Sequence, residues 1–202
     1  MSEHVLALMI RRVLNQKHVR YAPFFDGVTQ YAKLAQRAID VDGDIDIEFW
    51  TPTTGGVKTI VYQGDGVGGL GDNDIWILRN GSNIEFRCCG TPRSMGALAD
   101  GEKFRVTLSG ATLTLMDASG VVLNAWTFNR GAYRAANPVT LIGVRLSEGF
   151  YINFFQGVIP GIRINNLYYA MDQRNNPLQP SFPAGNDMTI VNHTDAMWRE
   201  VE

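Results

Sequence analysis

The chain has few of the residues that build disulfide frameworks, metal centres or membrane spans. Of its 202 residues only two are cysteine and three are histidine. Cys88 and Cys89 are neighbours in an alternating run. Adjacent cysteines seldom bridge each other, because the ring is strained and the two side chains leave opposite strand faces. That excludes a disulfide framework, and no metal motif begins there; both read as reduced thiols of a reducing compartment. His4, His18 and His193 are too scattered for a zinc cluster or a catalytic triad. Charge of one sign is also lacking: 18 basic against 20 acidic residues leave a net −2, which gives no electrostatic case for a nucleic-acid partner. No apolar run approaches the roughly 20 residues of a membrane helix. The apolar stretch from Val5 to Ile10 is short, and Arg11 and Arg12 follow it where a signal peptide would have basic residues first. Neither a membrane span nor a secretion signal is expected.

Glycine, by contrast, is abundant at 21 residues, and apolar residues make up 45% of the chain, enough for a core. Ser2 can cap a helix in which Leu6, Met9, Ile10, Val13 and Leu14 recur at helical spacing, so an amphipathic helix is predicted over residues 2 to 17. From Tyr21 onward the pattern is of strands. Ile45, Ile47 and Phe49 alternate with Asp44, Asp46 and Glu48, which predicts one dry and one wet strand face. Trp50 then falls on the face opposite Phe49. Further strands are predicted over 57–62, 75–79, 83–88, 104–109, 112–116, 121–128, 139–145, 154–159, 161–169 and 188–191, with Asn80-Gly81 as a hairpin turn. Turns about every 8–12 residues mark a sandwich or barrel. Residues Asp172 to Gly185 hold three prolines and read as an ordered loop or linker, and Met197 and Trp198 as a docked terminus. The expected organisation is a docking segment at 1–20, a β domain at 21–170 and a loop with tail at 171–202.

The residues Phe25-Asp-Gly-Val-Thr-Gln-Tyr-Ala-Lys-Leu and Ile45-Asp-Ile-Glu-Phe-Trp50 resemble the opening strands of laminin-G-like, concanavalin-A-like jelly rolls. Asp74-Ile-Trp-Ile-Leu-Arg with Ile84-Glu-Phe-Arg resembles the central hairpin, and Leu113-Thr-Leu-Met-Asp with Gly120-Val-Val-Leu a later one. Leu141-Ile-Gly-Val-Arg and Phe155-Gln-Gly-Val-Ile-Pro-Gly-Ile-Arg-Ile resemble the closing strands. The family's usual Val-Asp-Gly turn is replaced by Asp117-Ala-Ser-Gly120, a longer turn that leaves the fold intact. The tail Gly185-Asn-Asp-Met-Thr-Ile-Val-Asn with Trp198 is similar to tails of such domains in bacteriophage virion proteins. The resemblance implies an all-β, two-sheet antiparallel jelly-roll sandwich with an N-terminal helix and an extended tail. It also implies a non-enzymatic virion component of tail or capsid surface, made in the bacterial host cytoplasm. Its partners would be other virion proteins in a homo-oligomer, and host-surface glycans.

Several residue groups invite chemistry. Asp44, Asp46 and Glu48 recur about 6–7 Å apart along one strand face, a spacing at which carboxylate pairs hydrolyse glycosides. A hydrolase using Asp46 and Glu48 is therefore one alternative; a solvated strand face is preferred, because the strand comes early in the chain. Gly64-Asp-Gly-Val-Gly-Gly69 satisfies the dinucleotide-loop pattern, but a strand follows it where a helix is needed. Asp65, Asp72 and Asp74, among flexible glycines, form a candidate calcium site; calcium is the one cofactor the loops suggest. Among the aromatics Trp76, Trp126, Tyr133, Phe150, Tyr151, Tyr168 and Tyr169, the candidate sugar platforms are Trp76, Tyr133 and Tyr151. A carbohydrate-binding module is the remaining alternative.

Overall fold

The alternating run Ile45–Trp50 becomes a central strand, paired on both sides. The computed structural model describes residues 20–36, 39, 43–50, 55–66, 75–88, 91–127 and 139–201; the expected N-terminal helix lies outside them. In chain order the strands are β1 (Arg20–Asp26), β2 (Tyr31–Leu34), β3 (Ile45–Trp50), β4 (Val57–Gly64), β5 (Ile75–Asn80), β6 (Asn83–Cys88), β7 (Thr91–Ala97), β8 (Lys103–Ser109) and β9 (Thr112–Asp117). There follow β10 (Val122–Thr127), β11 (Val139–Ile142), β12 (Arg145–Ser147), β13 (Phe150–Ile152), β14 (Gln156–Ile164), β15 (Leu167–Tyr169), β16 (Leu178–Gln179), β17 (Met188–Val191) and β18 (Trp198–Val201). One sheet runs β10-β9-β8-β3-β14-β1-β18, with β15 also paired to β14; the other runs β16-β17-β2-β11-β4-β5-β6-β7. Every pairing among them is antiparallel. This is the jelly-roll sandwich the sequence implies.

Between the sheets lies one core, to which Ile45, Ile47 and Phe49 all contribute. Trp50 points the other way and joins Ala22, Phe24, Val158 and Val201 on the outer face of the first sheet. The second sheet is apolar on its outer face too. Tyr31, Tyr62, Trp76, Leu78 and Leu141 are buried there with Val144, against Leu146 and Phe154 at the β12–β13 hairpin. That is why β5, Ile75-Trp-Ile-Leu, reads as a continuous apolar run: it is covered on both sides.

Several local features depart from the sequence reading. The hairpin between β5 and β6 closes on the pair Asn80 and Asn83, so its central residues are Gly81 and Ser82. Of these only Gly81 has positive φ, the demand that type II′ turns make of their first central residue. The segment 154–169 does not break at Pro160. One nine-residue strand runs through it, with a bulge between Val158 and Gly161 that accommodates a proline lacking the N–H a ladder needs. The segment around Thr91-Pro92, outside every strand expected from the sequence, is the edge strand β7, where a proline is tolerated. Residues 171–201 supply β16 and β17 to one sheet and β18 to the other, so the expected loop and tail are part of the sandwich. Trp198 is buried in the core and its indole N–H donates to His193 Nε2 at 3.1 Å.

The Asp26-Gly-Val-Thr-Gln motif proves to be a turn built on one carboxylate. Asp26 Oδ1 accepts from the backbone N–H groups of Val28, Thr29 and Gln30 at 2.9, 2.8 and 3.0 Å, and Oδ2 from the Thr29 hydroxyl at 2.7 Å. Burial alone would raise the Asp26 pKa, but these donors outweigh it and hold it down at about 2, against an ordinary 3.8. Because the folded value is the lower one, the stabilisation is complete above about pH 4 and is lost as pH falls towards 2. For a partly exposed group we expect about 1 kcal/mol after screening. Unfolding titrations of wild type and Asp26→Asn between pH 5 and 2 should therefore converge at the acid end; parallel curves would refute the assignment.

Candidate functional site

On the outer face of the first sheet the alternation of β3, β8, β14 and β15 brings polar side chains into one row. Asp46 lies opposite Arg163 of β14 and Thr107 of β8, and Arg163 lies opposite Tyr168 of β15. Opposed residues of an antiparallel pair share a face, so these side chains emerge together. Asp46, Arg163 and Tyr168, together with Arg20, Glu48, Arg105, Pro160 and Gly161, line an open pocket of about 260 Å³.

The carboxylates that drew attention in the sequence are held by cations of β8. Arg105 clamps Asp46 in a two-pronged pair, Nε to Oδ1 at 2.7 Å and Nη2 to Oδ2 at 2.5 Å. The hydrogen bond to Asp46 raises the Arg105 pKa. Glu48 pairs with Lys103 Nζ at 2.9 Å. Asp44, two residues before Asp46 in the sequence, accepts from the Gly110 N–H at 3.2 Å and makes a turn contact. The face is thus wet, as the alternation predicts, but its acids are paired. Asp46 gives both oxygens to Arg105, so Arg163, directly opposite, is left with no acidic partner among the described residues, and Arg20 likewise has none. Counting Arg20, Arg105 and Arg163 against Asp46 and Glu48, the lining carries a net charge of +1.

Gly161 shapes the floor. A Cβ there would lie 3.0 Å from the Tyr168 hydroxyl oxygen and 2.9 Å from the Tyr169 carbonyl, so the absence of a side chain lets the Tyr168 phenol lie over β14. The Arg163 guanidinium sits 5.6 Å from the Tyr168 ring centre, within cation–π range. A planar anion with an apolar ring edge fits such a site: guanidinium groups to bind the anion and a phenol face to stack on the ring.

The residues expected from sequence are not gathered there. Trp76 is a correction: it is only 3% exposed, part of the outer cluster of the second sheet. Its N–H donates to Thr59 Oγ1 at 3.0 Å and the Arg145 guanidinium lies 4.4 Å from its ring centre, so no sugar reaches it. Tyr151 is 40% exposed. It stacks on Tyr31 with ring centres 4.8 Å apart, on the side of the sandwich away from the charged pocket. Burial, followed by the hydrogen bond to Tyr151, pushes the Tyr31 pKa up. Tyr133 lies outside the described residues. So do Asp72 and Asp74, and no three His, Cys, Asp or Glu side chains cluster as a metal site among those that are described. Arg105 and Arg163 were missed by the sequence reading although a signal existed. Each is a charged residue at an outward position of an apolar alternation, Phe104-Arg-Val and Ile162-Arg-Ile.

No protein-family model matches the chain, and no curated protein sequence matches it significantly. Solved structures do share its fold. A protein of Bacteroides ovatus proposed to bind carbohydrate superimposes with a TM-score of 0.63 at 12% identity, over 91% of this chain and 60% of that one. The CBM40 domain of the Ruminococcus gnavus IT-sialidase gives 0.54 at 12% identity, over 72% of this chain and 91% of that domain. The LG1-3 region of the laminin alpha2 chain gives 0.54 at 15% identity, over 85% and 34%. The chain therefore spans less than two thirds of the Bacteroides protein. At these identities the likeness is one of fold, and the fold is the laminin-G-like jelly roll.

Proposed function

We propose that this chain is a non-catalytic carbohydrate-binding module that takes an acidic sugar in the outer-face pocket of the first sheet. The observation that carries the reading is Arg163, a guanidinium without an acidic partner among the described residues, set beside the Tyr168 ring over a floor opened by Gly161. The pocket is near the small end of ligand sites and has room for one sugar ring. The names of the neighbours, a protein proposed to bind carbohydrate and a sialidase CBM40, support the same class of ligand. Asp46 and Glu48 act in this reading as structural ion-pair partners that orient Arg105 and Lys103. The resemblance to virion domains supplies the setting we propose: an oligomeric bacteriophage tail or capsid-surface component, beside other virion proteins, whose modules adhere to host-surface glycans.

Calorimetric titration with sialyllactose, glucuronic acid and neutral lactose tests the reading. The wild type is expected to bind an acidic sugar and not lactose. Arg163→Ala should weaken that binding about 10- to 100-fold, the effect of one charge-assisted contact. Equal binding of lactose, or an unchanged Arg163→Ala, would refute the acidic-sugar site. Sugar release by the wild type that Asp46→Asn and Glu48→Gln abolish would restore the hydrolase alternative.

A further inference from the structure

We propose that Phe182 is a second sugar-binding position, so that the site reads an acidic oligosaccharide and not a single acidic ring. The inference rests on the acidic-sugar reading and extends it. Phe182 is the most exposed large apolar side chain among the described residues, at 79%. It is also fixed in place. Its N–H donates to the Tyr168 carbonyl at 2.8 Å and its carbonyl accepts from the Tyr168 N–H at 2.9 Å, which makes the two a directly opposed, hydrogen-bonded pair. On either side the segment is anchored: Ser181 N–H donates to Asp187 Oδ1 at 3.2 Å, and Asn186 N–H to Ser181 Oγ at 3.2 Å.

Opposed residues put their side chains on one face, about 5.5 Å apart at the backbone. Phe182 therefore continues the row Asp46, Arg163, Tyr168 by one strand spacing, outside the pocket proper. From Asp46 to Phe182 the row covers three such spacings, roughly 14 Å, which is longer than one pyranose ring. A sugar with its carboxylate on Arg163 and its ring on Tyr168 would have its neighbour in the chain over Phe182. The exposed ring offers that neighbour an apolar face, and its pinned backbone means little order is lost on binding.

Titration of wild type, Phe182→Ala, Phe182→Trp and Arg163→Ala with acidic monosaccharides (N-acetylneuraminic acid, glucuronic acid) and with oligosaccharides ending in them decides the point. The wild type should bind the oligosaccharide about ten-fold more tightly than the monosaccharide, as burial of one sugar face on an aromatic ring implies. Phe182→Ala should remove that gain while leaving monosaccharide binding unchanged, Phe182→Trp should keep it, and Arg163→Ala should weaken both ligands. An exposed side chain makes loss of folding no explanation. Equal binding of the two lengths, or a Phe182→Ala variant that keeps the gain, would overturn the Phe182 position and leave the pocket standing. Failure of every acidic sugar to bind would overturn both.

Discussion

Gly157→Ala is expected to destabilise the domain by about 4 kcal/mol, combining backbone strain with an unrelieved clash. Gly157 sits in β14 opposite Phe25 with φ near +144°, a conformation that side chains rarely adopt. An added methyl would collide with the Trp50 carbonyl oxygen and press on the Phe155 ring at 2.9 Å. Trp50 belongs to the paired strand β3, and Phe155 is wholly buried against Phe49 with ring centres 6.2 Å apart. Neither can yield without opening a ladder or the core. Gly149 is the control: its φ of +83° carries the dihedral strain, but nothing lies within 4 Å of its added methyl. Denaturant unfolding of the two variants should separate the costs, with Gly149→Ala near 1 kcal/mol. Equal losses would mean that the close approach at Trp50 contributes nothing.

The second large effect concerns Arg79, whose side chain is 1% exposed. Its Nη2 bonds Asp100 Oδ1 at 2.6 Å and its Nε donates to the Gly81 carbonyl at 2.9 Å, at the foot of the β5–β6 hairpin. Nη1 has no partner among the described residues. Removing the counter-charge leaves a buried guanidinium uncompensated, so Asp100→Ala is expected to cost about 3 kcal/mol. Arg79→Met replaces the charge by an apolar chain of similar length and should cost less. The double variant should be no worse than Asp100→Ala alone, because once the charge is gone its missing partner no longer matters. Thermal and denaturant unfolding of the three variants measures the order; Arg79→Met as the most damaging of them would refute the account.

Much of the architecture was legible in the chain because strand periodicity is a local property. Alternation alone sends Ile45, Ile47 and Phe49 inward and Trp50 outward, and all four are so placed. It also puts Asp46 and Glu48 on the wet face, where they are found half-buried. What went astray involved a choice between faces that periodicity leaves open. In β5 both faces are apolar, so the pattern cannot say that the Trp76 ring is covered; the β12–β13 hairpin, about 70 residues later, decides that. Pro160 reads as a strand breaker until the bulge beside it is seen.

By itself, then, the sequence determined the all-β class and the inward and outward sets of most strands, since each depends on residues two or a few positions apart; the jelly-roll order was implied only by the family resemblance. Only the tertiary structure decided which acids are paired and which arginine is left over. Asp46 meets Arg105 across 59 residues of chain, and Phe182 reaches Tyr168 through a segment that reads as a linker. Such encounters depend on which strands pair and in what register, and register is set by the packing of the whole sandwich against its core.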